Sequence, residues 1–157
     1  MRRVLVTGGA GFIGSHFIRI LLAEEPDAQV VNLDVLTYAG NLANLADVAS
    51  SPRYRFVRGD IRDMKVAQEL AADADWIVNF AAESHVDRST KARAGEFIDT
   101  NVYGAYVMLE ATRQVNRGAR FLQVGTDEVY GDVPFPEFPN EQAMLAPSSP
   151  YSAAKAG

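Results

Sequence analysis

The sequence contains no cysteine and only two histidines. Without cysteine the chain has no disulfide, no thiolate metal site and no cysteine nucleophile, and this composition is compatible with the cytoplasm. The two histidines, His16 and His85, lie far apart along the chain and make a poor ligand set, so we expect no metal site. An excess of basic residues is also missing. The 15 Lys and Arg against 20 Asp and Glu give a net charge of −5, which argues against nucleic-acid binding.

Long apolar runs are absent as well. No stretch approaches the roughly 20 apolar residues that a membrane span needs, so we expect no membrane association. Glycines interrupt the apolar run after the basic start of the chain, and no small-residue cleavage site follows, so we expect no signal peptide. Hydrophobic residues make up 48% of the 157. This is enough to bury a core and is typical of one globular domain of ordinary size.

Short apolar segments alternate with amphipathic ones along the chain. The predicted strands are 2–7, 28–34, 53–60, 75–82 and 119–125, and the predicted helices are 12–25, 63–73 and 95–115. Asp63 is the expected N-cap of the second helix. Such alternation predicts an α/β fold, a Rossmann-type doubly wound parallel sheet with helices on both faces. A proline-rich loop follows at 131–150, where Ser149 and Pro150 predict the start of a last helix.

The glycines of TGGAGFIG, residues 7–14, follow a predicted strand and open a predicted helix. An acid, Asp34, ends the next strand 34 − 14 = 20 residues later, which is the spacing of a dinucleotide-binding fingerprint. The helix start would face a pyrophosphate. Asp34 would accept hydrogen bonds from ribose hydroxyls and repel a 2′-phosphate, so NAD is favoured over NADP. The alternative is a structural glycine turn with Asp34 as a strand-end cap.

Two further predicted strands end in candidate ligand contacts. In RGDIRD, Asp60 is placed to bond an adenine amino group and Ile61 to pack on its ring, although a loop carboxylate and a core isoleucine fit equally well. In NFAAESHVDRS, the small Ala81 and Ala82 would let a flat cofactor lie close. A polar cluster follows these alanines at Ser84, His85, Asp87 and Arg88. For His85 a ligand contact and a core-edge position remain equal alternatives, and His16 is interpreted as a structural residue.

Two motifs indicate proton transfer. Asp127 and Glu128 stand side by side just past a predicted strand, either as a solvated turn or as a general acid and a general base. Tyr151 and Lys155 are four residues apart, on one face of the predicted helix. An ammonium near a phenol favours the phenolate, so we expect Lys155 to lower the pKa of Tyr151 and let it take a proton from an alcohol. An ordinary helix surface is the alternative.

Five segments together, TGGAGFIGS, LTYAGN, AAESHVDRS, GTDEVYGD and SPYSAAKA, resemble the dTDP-glucose 4,6-dehydratases, which are extended short-chain dehydrogenases/reductases. The resemblance covers nearly all of the chain but about the first half of a family member. We therefore expect residues 1–157 to be an incomplete NAD-binding Rossmann domain without the carboxy-terminal nucleotide-sugar-binding part, with weak NAD binding and little turnover alone. Alternatives are a nucleotide-sugar epimerase, a dehydratase of another nucleotide sugar, and a non-catalytic NAD-binding module or truncated remnant.

The resemblance also implies roles for individual residues. Ser84 and Thr126 would contact the sugar, Asp127 would donate a proton and Glu128 would act as the base. Tyr151 would be the base of the oxidation step, with Lys155 holding the nicotinamide ribose. NAD contacts are implied for Gly8, Gly11, Phe12, Ile13, Gly14, Asp34, Val35, Leu36, Thr37, Asp60, Ile61, Phe80, Ala81, Ala82, Glu83, Ser84, Thr100, Tyr151 and Lys155.

The implied reaction is the NAD-dependent conversion of dTDP-glucose to dTDP-4-keto-6-deoxyglucose and water, by a cytoplasmic enzyme that is homodimeric at full length. The adjacent acids raise a geometric difficulty, because neighbours on a regular strand point to opposite faces. The backbone must therefore leave strand geometry before Asp127, and we expect Gly125 to permit this change of direction.

Overall fold

The computed structural model describes residues 2–84, 94–134 and 136–157. His85, Asp87 and Arg88 of the predicted polar cluster lie outside the described residues. The chain divides into two compact units. The first comprises Met1–Ala81 and Gly104–Val124, and the second comprises Ala82–Tyr103 and Gly125–Gly157. In the described parts of the chain, no helix has the length and apolar character needed to cross a membrane.

The first unit contains a five-stranded parallel sheet. Its strands are β1 Arg2–Thr7, β2 Ala28–Asp34, β3 Tyr54–Arg58, β4 Trp76–Asn79 and β5 Arg120–Gln123. They are arranged in the order β3-β2-β1-β4-β5. The strand order reverses between β1, the central strand, and β4. In parallel sheets this reversal opens a crevice at the carboxyl ends of the strands, where ligands bind.

Five α-helices and three helical segments of other types complete the described structure. The α-helices are α1 Phe12–Glu24, α2 Met64–Ala71, α3 Ala94–Phe97, α4 Ala105–Val115 and α5 Pro150–Ala156. A π-helix spans Ile98–Gly104, and 3₁₀ helices span Leu42–Leu45 and Asp127–Tyr130. The single helix predicted over 95–115 is therefore three segments. At Gly104 the backbone comes so close to Ile61 that a Cβ would lie 2.5 Å from its Cδ1, a tertiary constraint that periodicity does not reveal.

Both faces of the sheet are covered by helices. Side chains alternate along a strand, so Val4 and Val6 pack with Ile18 and Leu22 of α1 on one face. The other face includes Leu5 and Ile77, which pack in one buried cluster with residues of α2 and α4. Strands buried on both faces are typical of parallel sheets. The prediction of a Rossmann-type doubly wound sheet is confirmed.

The two helix starts predicted from capping residues are confirmed. The Asp63 side chain accepts hydrogen bonds from the backbone N–H groups of Lys65 and Val66, at 2.9 and 3.3 Å. Ser149 and Ser152 cap α5 reciprocally, each hydroxyl accepting from the other residue's N–H at 3.0 Å. Such caps satisfy donors that the first turn of a helix leaves unpaired.

Candidate functional site

A glycine-rich loop, residues 8–11, joins β1 to α1 in the first unit. Gly8 has φ of 68°, and a Cβ there would lie 2.6 Å from the Ala81 nitrogen, so a side chain is excluded by both conformation and space. A Cβ on Gly14 would lie 2.5 Å from the Gly8 carbonyl oxygen. Hydrogen bonds from Gly8 N to Leu33 O (2.9 Å) and from Gly11 N to Gly8 O (3.2 Å) hold the turn. The small residues thus allow the backbone to come close to whatever lies above the loop.

The start of α1 offers free backbone donors. Gly11 occupies the N-cap position and provides no side-chain cap, so the N–H groups of the first turn have no acceptor within the helix. These donors and the helix dipole favour an anion. Phe12 and Ile13 are 77% and 65% exposed, and their contacts with NAD stay predictions. The donor set fits a pyrophosphate, as the sequence predicts.

Asp34 lies at the end of β2 and is almost fully buried. Its Oδ2 accepts from the Ala10 N–H at 2.9 Å and its Oδ1 from the Leu36 N–H at 2.8 Å. Leu36 has φ of 59°, a left-handed conformation that is strained for a leucine and that is found preferentially at functional sites. Asp34 therefore acts as a cap, one of its two predicted roles. Each carboxylate oxygen retains a second lone pair, and a ribose contact stays a prediction. Val35 and Thr37, also predicted cofactor contacts, are exposed.

The Asp60 carboxylate, past the end of β3, is held by Arg62 through bonds of 2.6 to 3.0 Å. Burial acts to raise the pKa of Asp60, but the hydrogen bonds from Arg62 outweigh it and the pKa is lowered. Ile61 is buried in the core cluster, and Phe80 packs on Phe17 at a ring separation of 5.2 Å. The core placement of Ile61 is the structural alternative that the sequence left open, and contacts of these residues with adenine stay predictions.

A chain of polar side chains crosses the carboxyl ends of β1, β4 and β5, and the sequence analysis missed it. The buried Thr7 hydroxyl donates to Asn79 Oδ1, and the Asn79 amide donates to Gln123 Oε1 at 2.7 Å. The Ala81 N–H donates to Thr7 Oγ1 at 3.4 Å. These hydrogen bonds fix the strand ends that carry the glycine-rich loop and the predicted contact residues Phe80 and Ala81. Its signal in the sequence is a polar residue at the end of each apolar strand.

In the second unit, Tyr151 stands in the first turn of α5, with its side chain packed on the buried Phe97 of α3 at a ring separation of 6.3 Å. Its hydroxyl is hydrogen-bonded with the Thr126 side chain. Thr126 also precedes the 3₁₀ helix Asp127–Tyr130 and caps it, accepting from the Glu128 N–H at 3.3 Å. The structure therefore brings together four of the residues predicted to act on the sugar: Thr126, Asp127, Glu128 and Tyr151.

Asp127 and Glu128 begin this 3₁₀ helix, and both side chains are exposed. The prediction that the backbone leaves strand geometry before Asp127 is confirmed, because β5 ends at Gln123. Gly125 does not have positive φ, and a Cβ there would meet nothing within 4 Å, so the role expected of Gly125 stays a prediction. Thr126 caps the helical turn that follows.

The pKa of Tyr151 is raised, which is opposite to the sequence expectation. Burial of the phenol is the main cause, the hydrogen bond from Thr126 opposes it, and the negative charges of Glu128 and Asp127 add to it. Burial lowers the pKa of Lys155, one turn further along α5. The spacing of four residues is thus as predicted, but in this ligand-free state the surroundings of the phenol favour its neutral form.

The segment that follows β4 is held by a residue that the sequence analysis missed. Asn101, in the π-helix, is buried; its Oδ1 accepts from the Glu83 N–H at 2.9 Å and its Nδ2 donates to the Glu83 carbonyl at 3.0 Å. This pair fixes the backbone between Ala82 and Ser84, both predicted contact residues, while Thr100 is partly buried beside Asn101. Its signal in the sequence is a polar asparagine within the helical pattern predicted over 95–115.

The proline-rich loop returns to the 3₁₀ helix before α5 begins. The Ala146 N–H donates to Val129 O at 2.9 Å. Gly131 has φ of 73° and packs so closely on the Ala146 carbonyl oxygen that a Cβ would overlap it. These contacts anchor the loop behind the two acids. Among the residues that the structure describes, no group of three or more His, Asp or Glu side chains is arranged to hold a metal ion.

Solved structures share the fold of this chain. A dTDP-glucose 4,6-dehydratase from Streptomyces venezuelae, solved with NAD bound, is 52% identical with a TM-score of 0.93, and the match covers 99% of this chain and 48% of that one. A UDP-glucose 4-epimerase from Thermus thermophilus, in complex with NAD, is 34% identical with a TM-score of 0.83, covering 98% of this chain and 47% of that one. These similarities extend across the whole described fold.

Two proteins of similar amino-acid sequence illustrate the match outside the solved structures. A low-salt glycan biosynthesis protein of Haloferax volcanii is 56% identical over 154 residues, covering 98% of this chain and 48% of that protein. A dTDP-glucose 4,6-dehydratase of Streptomyces niveus is 49% identical, covering 98% of this chain and 46% of that protein. The chain spans about half the length of the curated relatives it matches. The family model described as GDP-mannose 4,6 dehydratase matches residues 5–157, so the chain belongs to the GDP-mannose 4,6-dehydratase family.

Proposed function

We propose that residues 1–157 form the NAD-binding, amino-terminal part of a cytoplasmic dTDP-glucose 4,6-dehydratase. The relatives named above support the substrate class. The observation that carries the proposal is the cluster of Thr126, Asp127, Glu128 and Tyr151 in the second unit. An epimerization at C4 requires one proton-transferring residue, whereas removal of water from the sugar requires a further acid and base. Adjacent carboxylates at the start of a 3₁₀ helix, beside the Thr126–Tyr151 hydrogen bond, supply that pair.

The pyrophosphate and adenosine roles fall on the first unit. The unpaired N–H groups at the start of α1 bind the pyrophosphate, and the absence of side chains at Gly8 and Gly14 lets it come close. Asp34 accepts from the adenosine ribose hydroxyls through its remaining lone pairs and repels a 2′-phosphate, which favours NAD. NAD, when bound, supplies the redox chemistry, accepting a hydride from the sugar C4 and returning it to C6. Lys155 holds the nicotinamide ribose.

The chemistry falls on the second unit. Tyr151 takes the proton of the sugar 4-hydroxyl as C4 is oxidised, and Thr126 hydrogen-bonds to the same region. The C4 ketone makes the C5 proton acidic, and Glu128 removes it. Asp127 gives a proton to the C6 hydroxyl, which leaves as water. The hydride returns to C6 while Glu128 gives a proton back to C5, and the product is a 4-keto-6-deoxy sugar. Tyr151 must lose its own proton before it can take one from the sugar, and the burial that raises the pKa of this phenol opposes that loss.

The test is incubation of the full-length protein that contains residues 1–157 with NAD and dTDP-glucose in deuterated water, followed by mass spectrometry. We expect a product lighter by one water and carrying deuterium acquired at C5. Glu128→Gln should keep NAD binding and lose the exchange at C5. Glu137→Gln makes the same change on an exposed loop side chain and should leave exchange intact. Unimpaired C5 exchange in Glu128→Gln would overturn the role of Glu128.

Other outcomes distinguish the alternatives. A C4-inverted sugar without loss of water would identify an epimerase. Stoichiometric NAD binding without turnover would identify a non-catalytic module. The proposal also includes a homodimer for the full-length enzyme, supported by exposed apolar side chains on α4, including Tyr106 and Leu109. Light scattering on the full-length protein tests this part, and a monomer would contradict it.

A further inference from the structure

The side chain of Asn32 stands out in the first unit. It lies in the middle of β2, has 0% exposure, and belongs to the face of the sheet that α1 covers. Its Nδ2 donates to the Tyr54 hydroxyl at 2.9 Å. Its Oδ1 is buried and has no hydrogen-bond partner. Buried polar atoms are almost always paired, so an unpaired carbonyl oxygen in the core requires a reason other than stability.

The unpaired oxygen faces the glycine-rich loop. A Cβ on Gly9 would overlap Asn32 Oδ1 and would lie 2.5 Å from the Ile18 Cδ1. The backbone of Gly9 therefore rests directly on the Asn32 carbonyl, in the position where a Cα–H group can make a weak contact with an oxygen. Reversing the amide would place the NH₂ group against the Gly9 Cα and turn the carbonyl towards Tyr54.

Gly9 is held differently from its neighbours in the loop. Gly8 donates to Leu33 O, Gly11 donates to Gly8 O, and Ala10 donates to Asp34 while its carbonyl accepts from Asn41 N and Asn44 Nδ2 at 3.0 Å. In the described part of the chain, neither the N–H nor the carbonyl of Gly9 makes a hydrogen bond. The position of the Gly9 backbone is therefore determined by the two side chains that pack against it, Asn32 and Ile18.

We propose that Asn32 and Tyr54 are positioning residues for the pyrophosphate-binding loop: the Tyr54 hydroxyl orients the Asn32 amide, and the Asn32 carbonyl supports Gly9. Tyr54 is suited to this role because its ring is partly buried at the start of β3. Its hydroxyl accepts from the side-chain amide of Asn32, which precedes Asp34 by two residues in β2. Neither residue touches the ligand. The proposal rests on the proposed function, since it deepens the assignment of this loop to the pyrophosphate of a dinucleotide.

The experiment compares two ligands on the chain by titration calorimetry. ADP-ribose contains the pyrophosphate, whereas adenosine contains neither phosphate. Tyr54→Phe removes the hydroxyl that orients the amide and keeps the ring. We expect about fivefold weaker ADP-ribose binding, the effect of one lost positioning hydrogen bond, and an unchanged affinity for adenosine. Tyr106→Phe removes a hydroxyl from an exposed side chain of α4 and should change neither affinity.

A second variant keeps the proposal testable if Tyr54→Phe is poorly folded. Asn32→Ala removes the support beneath Gly9 and should weaken ADP-ribose binding at least as much, again without an effect on adenosine. Circular dichroism at the titration temperature confirms that each variant is folded. Unchanged ADP-ribose affinity in both variants, or an equal loss for both ligands, would overturn the positioning role. Absence of ADP-ribose binding by the wild-type chain would overturn the proposed cofactor site itself, and this inference with it.

Discussion

Replacement of Gly8 by alanine should destabilise the first unit strongly. The left-handed conformation, with φ of 68°, costs an alanine about 1–2 kcal/mol. The new Cβ would lie 2.6 Å from Ala81 N and 2.7 Å from Ala81 Cα. Because these are backbone atoms just past the end of β4, which pairs with the central strand β1, relieving the overlap should cost about 1–3 kcal/mol. An alanine also restricts the unfolded chain, which stabilises the folded state by about 0.4–1 kcal/mol. The net loss in the free energy of unfolding is therefore about 2–4 kcal/mol.

Urea unfolding measures this loss. Trp76 is the one tryptophan of the chain and lies in β4, with the Arg120 guanidinium 5.0 Å from its ring centroid. Its fluorescence therefore reports on unfolding of the sheet. A domain with about 5–15 kcal/mol of stability should remain folded, and the midpoint should fall by roughly 1–2 M urea.

Gly118→Ala is the matched control in the same unit. Gly118 does not have positive φ, and the nearest atom to a Cβ there is Asn116 Oδ1 at 3.6 Å, an ordinary contact. The same chemical change should therefore raise stability by about 0.4–1 kcal/mol. A Gly8→Ala protein with a midpoint within error of the wild type would refute the reasoning, because neither the conformation nor the close approach would then be real constraints.

Two further predictions concern other parts of the chain. Arg53 donates to the Leu22 and Glu25 carbonyls at 2.7 and 3.1 Å, so Arg53→Ala should lower the free energy of unfolding in urea by about 1–2 kcal/mol. Arg55→Ala, at an exposed position of β3, should change it little. Equal losses of stability in the two variants would contradict the capping role of Arg53. In the ligand-free chain, the absorbance difference between wild type and Tyr151→Phe should show one phenol ionising above pH 10, because burial raises its pKa. A phenol ionising near neutrality would contradict this result.

The raised pKa of Tyr151 also has a consequence for stability. Because the folded state holds the proton more tightly than the unfolded state, the contribution of this group to stability is fully present below the unfolded value of 10.0 and is lost as the pH rises through the higher folded value. Lys155 acts in the opposite sense. Because burial lowers its pKa, the folded state gains stability as the pH rises towards 10.5, the ordinary pKa of a lysine. The two groups therefore partly offset each other in alkali.

The secondary structure was predictable because its signals are local. The bounds of β1 and β2 are those expected from the apolar runs, and Asp63 and Ser149 cap the helices as predicted. A cap, a turn glycine and an apolar stripe depend on neighbours within about four residues. The parallel sheet with helices on both faces was predictable from the alternation and the rules of crossover connections, whereas the strand order came from the structure. The positions of the adjacent acids and of Tyr151 were likewise visible as motifs.

Contacts between distant residues were not predictable in this way. Asn101 holds the Glu83 backbone, Asn32 meets Tyr54 and Gly9, and the π-helix forms where Gly104 meets Ile61. The sign of the Tyr151 pKa shift also depended on packing. The sequence by itself determined the elements, their order and the chemical groups available, because these depend on short-range patterns. Only the tertiary structure decided which groups are buried, paired or left unpaired, because burial and pairing depend on partners that are far apart along the chain.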